Sequence, residues 1–172
     1  MATMTIPDRT EAAEYYFTYI DQVVGDNICR ILEDQGVEVL ATLDDIPDER
    51  SLHRYAPDKW TIREVVNHVS DCERLFVYRA FWFARGFDTP LPSFDQHIAV
   101  TTAGANARPW RSLVEEFRSV RGATVAFFNS LPADAWPRRG VASGNPFTVR
   151  ALAYLTAGHV AHHMRILRER YL

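Results

Sequence analysis

Residues 60–86 read Trp60-Thr61-Ile62-Arg63-Glu64-Val65-Val66-Asn67-His68-Val69-Ser70-Asp71-Cys72-Glu73-Arg74-Leu75-Phe76-Val77-Tyr78-Arg79-Ala80-Phe81-Trp82-Phe83-Ala84-Arg85-Gly86, and they carry a helix start, an apolar face and a stop. Thr61 and Glu64 have the spacing of a capping box, in which each side chain satisfies a backbone N–H that the first turn would leave free. Trp60 and Val65 flank that box as a hydrophobic staple. Ile62, Val65, Val66, Val69, Cys72, Phe76 and Phe83 recur at helical spacing, and Gly86 suits the residue after a helix end. The stretch predicts one long amphipathic helix to about Arg85.

Three further blocks share this period. The first covers residues 10–43, with a break at Gly25-Asp26, where Asp26 is a candidate N-cap. Its stripe of Ile28, Ile31, Leu32, Gln35, Val39 and Leu43 has one polar member. The third runs from Trp110 to Leu131 with Leu113, Phe117, Val120, Thr124 and Phe127, and Pro109 fits a helix's first turn. The fourth begins near Thr148, a candidate N-cap, and places Val149, Leu152, Thr156, His159, His163 and Ile166 on one face. No segment alternates as a strand does. Four amphipathic helices predict an all-α, four-helix bundle as one domain over 1–172, with 1–9 a loose N-terminal segment. The long connection 87–109 allows an up-up-down-down order as well as a simple up-down one.

Composition narrows the function. The 172 residues carry a net charge of −3, and Lys59 is the only lysine among 19 positive residues. That balance argues against nucleic acid as a partner. No stretch approaches about 18 uncharged apolar residues, so no membrane span is expected. The N-terminal residues lack the pattern of a secretory signal, and Cys29 and Cys72 fall in apolar helical positions. A cytoplasmic protein with two reduced thiols is the expectation.

The histidines carry the chemistry. His159 and His163 stand four apart on the apolar stripe, so both imidazoles face the interior one turn apart. Two such groups need polar partners there, and a divalent metal supplies them by accepting a lone pair from each. His68, at the edge of the second helix's stripe, is placed to reach them. Three histidines leave coordination positions open for water or substrate. His162 is a further ligand, a group behind the ligands or a surface residue, and His97 in the long loop can approach the bundle mouth. Candidates for the general base are His162, Asp95 and Glu73. Arg79, eleven residues beyond His68, shares its face; a salt bridge to a carboxylate at the core edge is the expected role, with cofactor binding as the alternative.

The run Tyr55–Val69, with Glu73-Arg74, Tyr78-Arg79-Ala80, Pro90–Asp95 and the final Gly158-His159-Val160-Ala161-His162-His163-Met164-Arg165-Ile166-Leu167, resembles the DinB/YfiT-like superfamily from about residue 15 to 172. The resemblance implies a four-helix bundle, a homodimer, and nickel or zinc held by His68, His159 and His163. It also implies metal-dependent transferase or hydrolase chemistry on a small-molecule substrate, with a low-molecular-weight thiol as cofactor. No residue identifies which thiol. The competing expectation is a non-catalytic dimeric, stress-related or partner-binding bundle with a vestigial or structural metal site.

Overall fold

The computed structural model describes residues 5–172. Its main helices are α2 (Ile28–Asp44), α3 (Ile62–Ala84), α5 (Trp110–Asn129) and α6 (Val149–Arg170). Two short helices, α1 (Phe17–Ile20) and α4 (Gln96–Thr102), lie before α2 and within the connection from α3 to α5. Strands β1 (Arg139–Ala142) and β2 (Asn145–Thr148) form a hairpin ahead of α6.

Local chemistry accounts for the helix ends. The capping box on α3 is complete, with Thr61 accepting from the Glu64 N–H and the Glu64 carboxylate accepting from the Thr61 N–H. Gly86 takes φ +83°, the left-handed conformation that ends a helix without a Cβ penalty. Thr148 caps α6 by accepting from the Ala151 N–H. The cap of α2 is Asn27, which accepts from the Arg30 N–H, and not Asp26. Asp26 is one position too early to reach an N3 donor.

The hairpin corrects the expectation of no strands. Its turn is Ser143-Gly144, at φ +52° and +73°, the paired positive values that let two strands fold back with matching twist. A Ser-Gly pair between short apolar runs is the signal that finds it.

The helices pack as a ring in which α3 touches α5 and α6, and α2 touches the same two. Consecutive helices α2 and α3 therefore lie on a diagonal, as do α5 and α6. Contacts give the directions. Asn129 bonds Glu33 and the Trp110 indole donates to the Leu43 carbonyl, so α2 and α5 are antiparallel. Arg74 bonds Glu116, and Phe81 meets Phe127, so α3 and α5 run parallel. Tyr171 bonds the Trp60 carbonyl while His163 meets His68, so α6 opposes α3. The order is up-down-down-up. The long crossover is present, but it joins the parallel pair α3 and α5 instead of producing up-up-down-down.

Two apolar clusters fill the ring. One gathers Ile28, Leu32, Phe76, Phe83, Phe128, Phe147 and the first half of α6. The other gathers Val39, Leu43, Val66, Trp110, Phe117, Met164 and Leu167. A polar belt separates them. Arg121 donates to both Glu73 oxygens, at 2.8 and 2.7 Å, to the Leu32 carbonyl and to the Gln35 side chain. Gln35 in turn donates to the Ala157 carbonyl at 2.9 Å, so the belt ties all four main helices. The polar member of the first stripe is thereby explained. Residues 1–4 of the expected loose segment lie outside the described residues. Within 5–9, Arg150 bonds Thr5, and Arg9 lies over the Phe17 ring and bonds Asp21.

Candidate metal centre and cleft

His68 sits on the second turn of α3, oriented by the capping box below it. His159 and His163 follow Gly158 on α6. That glycine lets α1 cross directly over α6, because a Cβ at 158 would lie 2.1 Å from the Tyr19 carbonyl oxygen. The close crossing puts the Tyr19 ring 5.5 Å from His159 and 5.2 Å from His162.

The three imidazoles converge through the same atom. His159 Nε2 lies 3.2 Å from His68 Nε2 and 3.1 Å from His163 Nε2. An imidazole nitrogen offers either one N–H or one lone pair, so His159 Nε2 makes one conventional hydrogen bond and not two. A shared divalent cation would resolve this. Nitrogens bound at about 2.0–2.1 Å around a tetrahedral metal are separated by about 3.3 Å. The donor set fits such an ion. Burial favours the neutral, metal-binding form of all three: His68 is pushed down to about 4, His163 to about 3, and His159 well below its usual value.

Cys72 joins the group and was not expected there. Its thiol lies 3.6 Å from His68 Nδ1, and His68, Cys72 and His159 bring ligand atoms within 4.8 Å of one another. Burial pushes the thiol up to about 12. The i,i+4 spacing from His68 is the signal that could have found it, since it matches that of the two terminal histidines.

A cleft of about 480 Å³ opens beside Cys72 and His159. No curated protein matches the chain. A profile of the DinB superfamily matches residues 31–167. The chain belongs to the DinB superfamily. Among solved structures, YfiT from Bacillus subtilis, described as a probable metal-dependent hydrolase with an unusual four-helix bundle topology, aligns over 95% of this chain and 91% of its own at 17% identity, with a TM-score of 0.69. A mycothiol-dependent maleylpyruvate isomerase aligns over 84% of this chain at 12% identity, also with a TM-score of 0.69, and the aligned part spans 61% of the isomerase.

The remaining expected residues of this DinB-superfamily chain separate clearly. Glu73 is 1% exposed, and both its oxygens accept from Arg121. Asp95 caps α4, accepting from the His97 and Ile98 N–H groups at the cleft mouth. His162 packs edge-on against Tyr19 and His163, and its Nδ1 is buried without a partner. His97 lines the cleft, as its loop position suggested. Cys29 and Cys72 are both free thiols. No described helix is long and apolar enough to cross a membrane.

Arg79 departs from its expected role. It is 3% exposed and lines the cleft, yet no carboxylate pairs with it among the described residues. Its Nη2 donates to the Pro92 carbonyl and to Ser143 Oγ, while Nε has no partner. The α4 loop and the hairpin bring oxygens of neutral groups where a carboxylate was expected.

Proposed function

We propose that the chain is a metal-dependent enzyme that holds nickel or zinc on His68, His159 and His163 and performs thiol transfer or hydrolysis on a small molecule. The observation that carries this reading is the approach of His68 Nε2 and His163 Nε2 to His159 Nε2, with His159 on the wall of an open cleft. When bound, a divalent ion of this kind lowers the pKa of a thiol or water, which gives the two chemistries a common step.

The protein's own residues supply the rest. The buried imidazoles remain unprotonated near neutral pH and so keep their lone pairs available. Trp60 packs 4.9 Å from His68 and Phe76 packs 5.5 Å from His159, which fixes both rings and keeps water from their flanks. The cleft admits a low-molecular-weight thiol or substrate from the side of α4. Glu73 belongs to the structural belt, so the proton is accepted elsewhere. The same reading places the chain in the cytoplasm as a homodimer with both thiols reduced.

The test is elemental analysis of untagged protein before and after chelation, followed by a thiol-transfer and hydrolysis panel on the reloaded protein. About one nickel or zinc per chain is expected, and His159→Ala is expected to lose it. Full metal occupancy in that variant would overturn the ligand assignment.

A further inference from the structure

Arg79 is a cation buried at a cost and left without an anion. Removing a charge from water is unfavourable unless a partner of opposite charge compensates. Here the compensation is incomplete: Nη2 has two neutral acceptors and Nε has none. Burial accordingly pushes the guanidinium below its usual range. An apolar side chain would carry no such penalty, although it would release the Pro92 carbonyl and Ser143 Oγ.

Its placement suggests why it is there. Arg79 lines the cleft that Cys72 and His159 also line. It follows Cys72 by seven residues, which is about 10 Å along a helix axis. The hairpin turn at Ser143 and the crossover loop at Pro92 hold Nη2, and Nη1 is left without a hydrogen-bond acceptor among the described residues. The wall between the two ends is aromatic, from Tyr15, Tyr16, Tyr19, Phe76 and Phe94. Tyr16, beside Arg79, keeps its hydroxyl proton because burial raises its pKa.

We propose that Arg79 is the anion receptor of the cleft, and that the ligand is an elongated small molecule with a carboxylate at Arg79, an apolar or aromatic body along the tyrosines, and its reacting end at the histidines. Among the described residues, Arg79 is the only lysine or arginine lining the cleft. One cation whose Nη1 is free matches the single charge of a carboxylate, whereas a phosphate would leave charge and acceptors unmatched. The inference deepens the metal-enzyme reading and depends on it for the reaction, but the anion site itself needs no metal.

The test compares 4-phenylbutyrate with its neutral amide by calorimetry, on chelated and on zinc-loaded protein. Wild type is expected to favour the acid by about tenfold or more, the scale of one charge-assisted contact. Arg79→Gln should erase that preference while keeping its metal content. Arg79→Lys should restore it in part, because the charge returns without the guanidinium that Pro92 and Ser143 hold in place. Thermal melting adds a readout independent of ligand. Without ligand, Arg79→Met should melt no lower than wild type, because the charge it removes is only partly compensated by two neutral acceptors.

Equal binding of acid and amide by wild type would overturn the proposal, as would an acid preference that survives in Arg79→Gln. Unfolding of both the Gln and Met variants would make Arg79 a structural tie and would overturn it too. Tighter binding of phenyl phosphate than of the acid would overturn the carboxylate assignment. Acid preference in a protein that binds no metal would sink the metal reading alone. Metal binding without acid preference would sink only the anion site.

Discussion

Burial, more than any charged neighbour, sets the protonation of His68, His159 and His163. Their folded-state pKa values lie below the ordinary histidine value. The unfolded chain therefore binds protons first as pH falls, and the fold loses stability through that window. In chelated protein, the denaturation midpoint should be flat above about pH 6.5 and should decline as pH falls towards 4. Each such histidine contributes up to about 1.4 kcal/mol per pH unit. Urea titrations across this range check it, with His163→Gln expected to show a shallower decline. An unchanged slope in that variant would contradict the desolvation of the half-buried His163 imidazole. These residues were largely legible in the sequence, because i,i+4 spacing on an apolar stripe already places two imidazoles inside. Arg79 was not. Whether a buried cation meets a carboxylate depends on which loops arrive over its helix, and the spacing within α3 carries nothing about Ser143 or Pro92.

At the scale of elements, α6 is the helix on which the site depends. From Val149 to Val160 nearly every side chain is covered, because α1, α3 and β2 pack on different faces of it. Gly158 permits the closest of these approaches. Gly158→Ala would drive a methyl group into the Tyr19 backbone, 2.1 Å away, so α1 must move off. The expected cost is about 2 kcal/mol or more, in the range of overpacked cores, although alanine is the better helix former. Thermal unfolding measures the loss. Metal affinity should also fall, because His159 is the next residue. An unaltered melting point would show that α1 does not press on α6. The boundaries of α3 and α6 could be read from Thr61, Glu64 and Thr148, since caps are local chemistry. The hairpin escaped notice because each strand is only four residues long, too short for alternation to show, and only its Ser-Gly turn was diagnostic.

Across the whole molecule, the apolar stripes showed that each helix faces a core, but not which helix each one meets. The polar belt of Gln35, Glu73 and Arg121 helps decide this, since only one arrangement lets Arg121 reach α2 and α3 while Gln35 reaches α6. No single-helix pattern reveals such a match. The proposed metal site lies beside the belt, with His159 two residues beyond Ala157, whose carbonyl accepts from Gln35.

The diagonal placement of consecutive helices also bears on how the chain folds. Neither α2 with α3 nor α5 with α6 can assemble as a local hairpin, so the bundle forms from distant segments. Loop closure must precede the contacts that reward it, and folding slows as sequence separation grows. Stopped-flow refolding of the chelated protein should be slower than that of an up-down-up-down bundle of equal length, and a matching rate would contradict this account. His68 and His159 are 91 positions apart, so the two halves of the proposed metal site first meet when the last helix docks. A cation that binds only the assembled site acts late, slowing the undocking of α6 more than it hastens the search that brings α6 home.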